Sequence, residues 1–292
     1  MKILLFTVFF SCLIASSTKA NLVEPCQKNA SLLLLDDQSQ AILLAFNSDK
    51  IIYPASLVKM MTAYIVFEEL TKKSLQFNDE IIFSPRAQEI SEINQINTLK
   101  IKAFDKISVE NALETMIVKS YNESAVALAE KIAGDEWSFV RMMNKKALEL
   151  GMINTSFYNS SGLHEDGQYT SAEDLAKLAW HLKNDFPQYY YFFGKEKINI
   201  NNKTLLSHNT HLKKYQGADG IKTGYTKMSG YNIVTSAFNN KNRIYAVVTG
   251  CKSSKTRDNL AEFLMDLGFH ENYFNYNLHL KKLTLKSYNE IY

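Results

Sequence analysis

The chain has 292 residues, 46% hydrophobic and 22% charged, and its 33 Lys and Arg against 30 Asp and Glu give a net charge of +3. That usage is globular and excludes disordered, collagenous and coiled-coil classes. There is no basic excess or basic block to serve as a nucleic-acid footprint, and 11 Gly with 4 Pro leave no long flexible linker.

In chain order, the first segment is an address. Lys2 precedes an almost unbroken apolar run, Ile3 to Ala15, and Thr18 and Ala20 are the small residues before a cut. This is the layout of a secretory signal peptide over 1–20, so the mature chain is expected outside the cytoplasm, periplasmic or otherwise extracytoplasmic. The run falls short of the ~20 apolar residues of a membrane span. No second such stretch follows, so no integral membrane span is expected in the mature chain. Of three cysteines, Cys12 lies in the leader; Cys26 and Cys251 remain, and two thiols in an exported protein either pair or stay as separate buried thiols.

Residues 30–36 (ASLLLLD) and 40–46 (QAILLAF) read as an antiparallel hairpin. A helix is predicted from Ser56 to about Leu70, behind Pro54. Further helices are predicted over 108–119, over 122–133 with a stop at Gly134, and over 137–150 with a stop at Gly151. Thr170 and Glu173 read as a capping box ahead of a helix over 171–184. The stretches 219–225, 231–238 and 243–250 read as a three-strand meander, followed by a helix over 257–267 ended by Gly268. Strands at both ends with helices between them predict one α+β domain over 21–270, with a helical subdomain within about 60–215. The leucines of the tail 271–292 do not make one helical face, so an amphipathic membrane helix is not expected there.

The six histidines include no H-E-x-x-H, no cysteine pair has ligand spacing, and His208 and His211 fall in what reads as a polar loop, so no metal or other cofactor is expected. G-x-S-x-G, the P-loop and the dinucleotide fingerprint are absent. Ser56-Leu57-Val58-Lys59 is S-x-x-K. Residues three apart share a helix face, so the Lys59 amine can reach the Ser56 hydroxyl, and a lysine with a depressed pKa can act as its base. Ser120-Tyr121-Asn122 is S-x-N: a hydroxyl that can relay a proton and an amide that can hold a carbonyl. Lys222-Thr223-Gly224 is K-T-G on the first meander strand, where glycine admits substrate backbone and lysine adds charge. Each triplet alone is weak; the three in this order, each on a suitable element, are not.

With these motifs the chain resembles the serine D-alanyl-D-alanine carboxypeptidases, the low-molecular-mass penicillin-binding proteins. The likeness extends through Pro54 to Thr62, Asn122 to Ala129, Gly162-Leu163, Asp166 to Ala172, Asp219 to Thr226 and Gly230-Tyr231-Asn232, and covers about residues 25–270. It implies a five-stranded antiparallel sheet with helices on both faces and a helical subdomain. It implies that Ser56 attacks the carbonyl between two D-alanines of a peptidoglycan stem pentapeptide, with Lys59 as base and Ser120 passing the proton to the leaving D-alanine beside Lys222. Asn122 would hold the substrate amide, the backbone N–H groups of Ser56 and Tyr225 would form the oxyanion hole, and Thr223 and Arg257 would bind the terminal carboxylate. β-Lactam antibiotics would acylate Ser56 and leave slowly. Since the last strand of that fold pairs with the first, Cys26 and Cys251 fall at neighbouring strand ends, a candidate disulfide.

Two departures stand out. The family often has His where Tyr225 stands. Many members also carry a β-rich domain and a C-terminal amphipathic membrane helix; with only about 22 residues after the core here, neither is expected. Other readings remain: an endopeptidase on peptidoglycan cross-links, a β-lactamase, for which no E-x-x-x-N segment lies where its deacylating acid belongs, and a non-catalytic wall-binding protein, which would not need Ser56 and Lys59 intact.

Overall fold

The structure is a computed structural model that describes Cys26 and residues 30–93, 98–239 and 241–269. The predicted leader and the tail 271–292 lie outside the described residues. Strands β1 (Leu32–Asp36) and β2 (Ile42–Phe46) form the expected hairpin. A 3-10 turn, Ala55–Val58, leads into α1 (Lys59–Thr71). Then come β3 (Glu80–Ile82), α2 (Pro85–Ile93), β4 (Lys106–Ser108), α3 (Val109–Val118), α4 (Asn122–Ala133), α5 (Glu136–Glu149) and α6 (Ala172–Asp185). A second 3-10 turn (Tyr190–Gly194), the hairpin β5 (Lys197–Ile200) and β6 (Lys203–Leu206), and the one-turn α7 (His211–Lys214) follow. The chain closes with β7 (Ala218–Thr226), β8 (Gly230–Phe238), β9 (Arg243–Cys251) and α8 (Ser254–Phe269).

The main sheet has the order β2-β1-β9-β8-β7, every pair antiparallel. Strands β1 and β9 read as nearly continuous apolar runs because both their faces are covered. Successive side chains alternate across a strand: Leu32 and Leu34 pack with Ile244, Ala246, Leu260 and Leu264 under α8, while Leu33 and Leu35 join Val234, Val247 and the residues of α1 on the other face. Helix α1 is apolar almost all round and Lys59 to Phe67 are all buried, as expected of a helix enclosed by others. Strand β7 is an edge, with β8 as its one neighbour, and its free side meets the 3-10 turn that carries Ser56. Arg243 on β9 reaches across β8 to Asp219 on β7 in a two-point pair, Nη1 to Oδ1 at 2.7 Å and Nη2 to Oδ2 at 2.6 Å. Among the described residues, no helix is long and apolar enough to cross a membrane.

Four sequence expectations need correction. Ser56 stands in a 3-10 turn rather than in the α-helix, because Ala55 takes φ +51°, outside helical space. The cap of α6 is Ser171, whose hydroxyl accepts from Asp174 N–H at 3.2 Å. Thr170 instead sits in an extended bridge to Ile52, with its hydroxyl 2.9 Å from that of Thr155, and Glu173 accepts from Ser48, so the capping box does not form. Helix α8 begins at Ser254 and runs through Gly268, which lies so close to the sheet that a Cβ would come within 2.5 Å of Ile244. Finally, His211 is no loop residue: it opens α7, is fully buried and stacks on Tyr215 at 5.3 Å. Burial drives its pKa down to about 4.

Candidate active site

The three sequence motifs converge where β7 meets the start of α1. In a 3-10 turn residues three apart are eclipsed, which stacks Lys59 over Ser56. The Lys59 Nζ lies 3.1 Å from Ser56 Oγ and 2.6 Å from Asn122 Oδ1, and it also donates to the carbonyl of Ser161. Lys59 is fully buried and Ser56 half-buried. The second motif lies on the connection between α3 and α4. Ser120 is held at φ +61°, and Asn122 is the first residue of α4. Backbone in the left-handed region is costly for residues other than glycine, by ~1 kcal/mol or more, and tends to mark functional sites. Here Ala55, just before Ser56, and Ser120 both adopt it.

The third motif lies on β7. Lys222 is 2% exposed, and its Nζ lies 3.0 Å from Ser120 Oγ and 2.9 Å from the Thr223 carbonyl. Gly224 explains the close approach of the strand: a Cβ there would stand 3.1 Å from the Pro54 carbonyl oxygen and 3.2 Å from Ser56 N. Tyr225 is half exposed at the rim, its ring 4.2 Å from that of Tyr231. Arg257, on α8, is buried rather than superficial. Its Nε and Nη2 bond Asp258 Oδ1 at 2.9 and 2.6 Å.

Burial governs the electrostatics. Desolvation, and then the charge of Lys222, hold the Lys59 pKa well below that of an ordinary lysine; the carboxylates of Glu123 and Glu136 oppose this. Desolvation, and then the Arg257 guanidinium, bring Lys222 down to about 7. The Lys59 amine is thereby neutral more readily than an ordinary lysine and suited to take a proton, and Lys222 keeps its own up to about pH 7. Among the described residues, no group of three or more His, Cys, Asp or Glu side chains is placed to hold a metal. His208 instead sets its Nε2 3.0 Å from Lys119 Nζ.

Sequence reasoning missed the support of this centre. Asn159 Oδ1 accepts from Gly162 N–H at 2.7 Å, curling residues 159–162 into a loop that presents the Ser161 carbonyl to Lys59. Glu136, at the start of α5, accepts from both N–H and Oγ of Ser160, and Thr62 of α1 donates to the Ser160 carbonyl. At Gly162, φ is +86° and a Cβ would lie 2.0 Å from the Ala55 carbonyl oxygen. The one available signal was Gly162 itself. Buried Glu123, which accepts from Thr98 Oγ1 and Leu99 N–H, and Asp258 belong to no short motif.

A serine-lysine pair at Ser56 and Lys59, a second at Ser120 and Lys222, and an edge strand beside them make an arrangement that can support acyl transfer. The sequence profile of the D-alanyl-D-alanine carboxypeptidase family matches residues 18–253. The chain belongs to that family. Among curated members of the D-alanyl-D-alanine carboxypeptidases, DacA of Haemophilus influenzae is 35% identical over 250 residues, covering 85% of this chain and 63% of the relative. The chain thus spans less than two thirds of that relative's length. Penicillin-binding protein 5 of Haemophilus influenzae superposes with a TM-score of 0.79 at 35% identity, over 85% of this chain and 72% of that one. Penicillin-binding protein D2 of Listeria monocytogenes, solved in its ampicillin-bound form, superposes with a TM-score of 0.73 at 28% identity, over 82% of this chain and 96% of that one.

Proposed function

We propose that this chain is an exported serine D-alanyl-D-alanine carboxypeptidase that removes the terminal D-alanine of peptidoglycan stem peptides and is acylated by β-lactams. The observation that carries the reading is the 3.1 Å approach of the buried Lys59 amine to Ser56 Oγ. Family membership and the likeness to an ampicillin-bound protein add to it.

In this reading neutral Lys59 takes the Ser56 proton as Oγ attacks the carbonyl between the two D-alanines. The oxyanion is received by the N–H groups of Ser56 and Tyr225; one such donor is worth ~3–4 kcal/mol in the transition state. As the tetrahedral intermediate collapses, Ser120 gives its proton to the leaving D-alanine nitrogen and is resupplied by Lys222, 3.0 Å away. Asn122, already on Lys59, orients the substrate amide. Thr223 and the charge of Arg257, whose Nε and Nη2 are held by Asp258, attract the terminal carboxylate. Water then hydrolyses the acyl-enzyme. A β-lactam carbonyl enters the same sequence, and its acyl-enzyme hydrolyses slowly.

The test is D-alanine release from an acyl-D-Ala-D-Ala tripeptide. The native protein should release it. Ser56→Ala should fall to background, a loss on the order of 10⁴-fold or more. Release retained by Ser56→Ala would overturn the assignment of the nucleophile, and cleavage confined to cross-linked dimers would make the protein an endopeptidase.

A further inference from the structure

Cys26 and Cys251 lie far from each other in sequence and against each other in space. Cys26 forms an isolated antiparallel bridge with Cys251, the last residue of β9. Antiparallel partners have Cα atoms ~4.5–5.5 Å apart, inside the ~4.4–6.8 Å window a disulfide needs. The side chains turn towards each other, with Sγ atoms 2.8 Å apart and not joined. The pair lies at the edge of the apolar layer between the sheet and α8. Its surroundings are closed: Cys251 is fully buried and Cys26 retains 7% exposure. Both residues belong to the expected mature chain, whereas Cys12 lies in the leader.

We propose that Cys26 and Cys251 form an intrachain disulfide in the exported protein, tying Cys26, ahead of β1 in the chain, to the end of β9. The proposal goes beyond the carboxypeptidase reaction and does not rest on it. The oxidant is a protein or small-molecule disulfide of the extracytoplasmic compartment. Cys26, the more exposed thiol, attacks it as the thiolate, and one thiol of the oxidant leaves. Cys251 then displaces the second oxidant thiol from the mixed disulfide. Two protons and two electrons leave the protein, and the oxidant's disulfide becomes two thiols. The hydrogen bond from Cys251 lowers the Cys26 pKa and so favours Cys26 as the attacking sulfur.

The bond would close a loop spanning a sequence separation of 225 residues, and long loops gain most in the chain-entropy account. It would also secure β9 just before the turn into α8, the helix that carries Arg257.

The experiment uses the full chain, exported through its own leader, purified without reductant, denatured and alkylated. The expected product carries no alkyl group on Cys26 or Cys251, and its digest contains one peptide linking the two. Prior reduction should give two alkylated sites and lower the thermal midpoint by about 5–15 °C. As a second measurement, folded reduced protein is equilibrated with a glutathione redox couple and should re-form the same linked peptide. Two alkylated cysteines without reductant, together with free thiols or separate glutathione adducts after equilibration, would overturn the proposal. D-Alanine release by the same sample reports on the reaction separately, so failure of one claim is distinguishable from failure of the other.

Discussion

Two buried amines near one hydroxyl pair carry the proposed chemistry at the scale of single residues. Lys59 and Lys222 each lose solvation, and the Lys222 charge further disfavours a proton on Lys59. Lys59 works when neutral, so kcat/KM rises as pH passes its depressed pKa. Lys222 works when charged, so kcat/KM falls as pH passes about 7. An alkaline limb near pH 7 is expected; a rate still climbing through pH ~9 would contradict these roles. Arg257 fixes the sign of a second change. Removing its charge relieves Lys222, so Arg257→Gln should move the alkaline limb to higher pH while raising KM for the carboxylate-bearing substrate. A limb that stays in place would remove Arg257 from the neighbourhood of Lys222. The Ser56–Lys59 contact was legible in the sequence because residues three apart share a helix face, and in the 3-10 turn they eclipse. The sequence separations of 63 from Lys59 to Asn122 and 102 from Ser120 to Lys222 are closed only by tertiary folding. Ser161, which contributes a backbone carbonyl, carries no side-chain signature at all.

At the scale of elements, the nucleophile turn is held from outside by the loop 159–162. Gly162→Ala combines left-handed backbone with a Cβ 2.0 Å from the Ala55 carbonyl oxygen. The turn must shift, at about 2–4 kcal/mol, and a displacement of that kind should lower acylation on the order of 10²-fold. Thermal unfolding and acylation rate check both; native values for the two would show that the turn does not depend on this contact. The sheet has its own clamp in Asp219 and Arg243. Asp219→Ala leaves the Arg243 guanidinium buried without its partner, a change worth ~3–5 kcal/mol for a fully enclosed pair. Asp219 is 36% exposed, so about 2–3 kcal/mol is expected in a denaturant titration. Long regular elements were legible: α4 runs from Asn122 to Ala133, and the meander differs by a residue or so at its ends. The 3-10 turn at Ser56 was not, because nothing in Pro-Ala-Ser announces the positive φ of Ala55. Gly268 misled for the opposite reason: it serves close packing on Ile244, not a helix stop.

The whole molecule is a sheet covered on both faces, its edge strand β7 set against the turn that carries Ser56. Strands from both ends of the chain share that sheet, which is why a sequence order of strands, helices, strands pointed to one α+β unit. The small hairpins β3-β4 and β5-β6 bury few side chains and gave no comparable pattern. The central claim is directly measurable: intact mass of the purified protein with and without benzylpenicillin. A stable one-to-one adduct that maps to Ser56, absent in Ser56→Ala, is the predicted result. An unmodified protein with the drug left intact would contradict the account, and so would an unmodified protein that destroys the drug rapidly, since that is the behaviour of a β-lactamase.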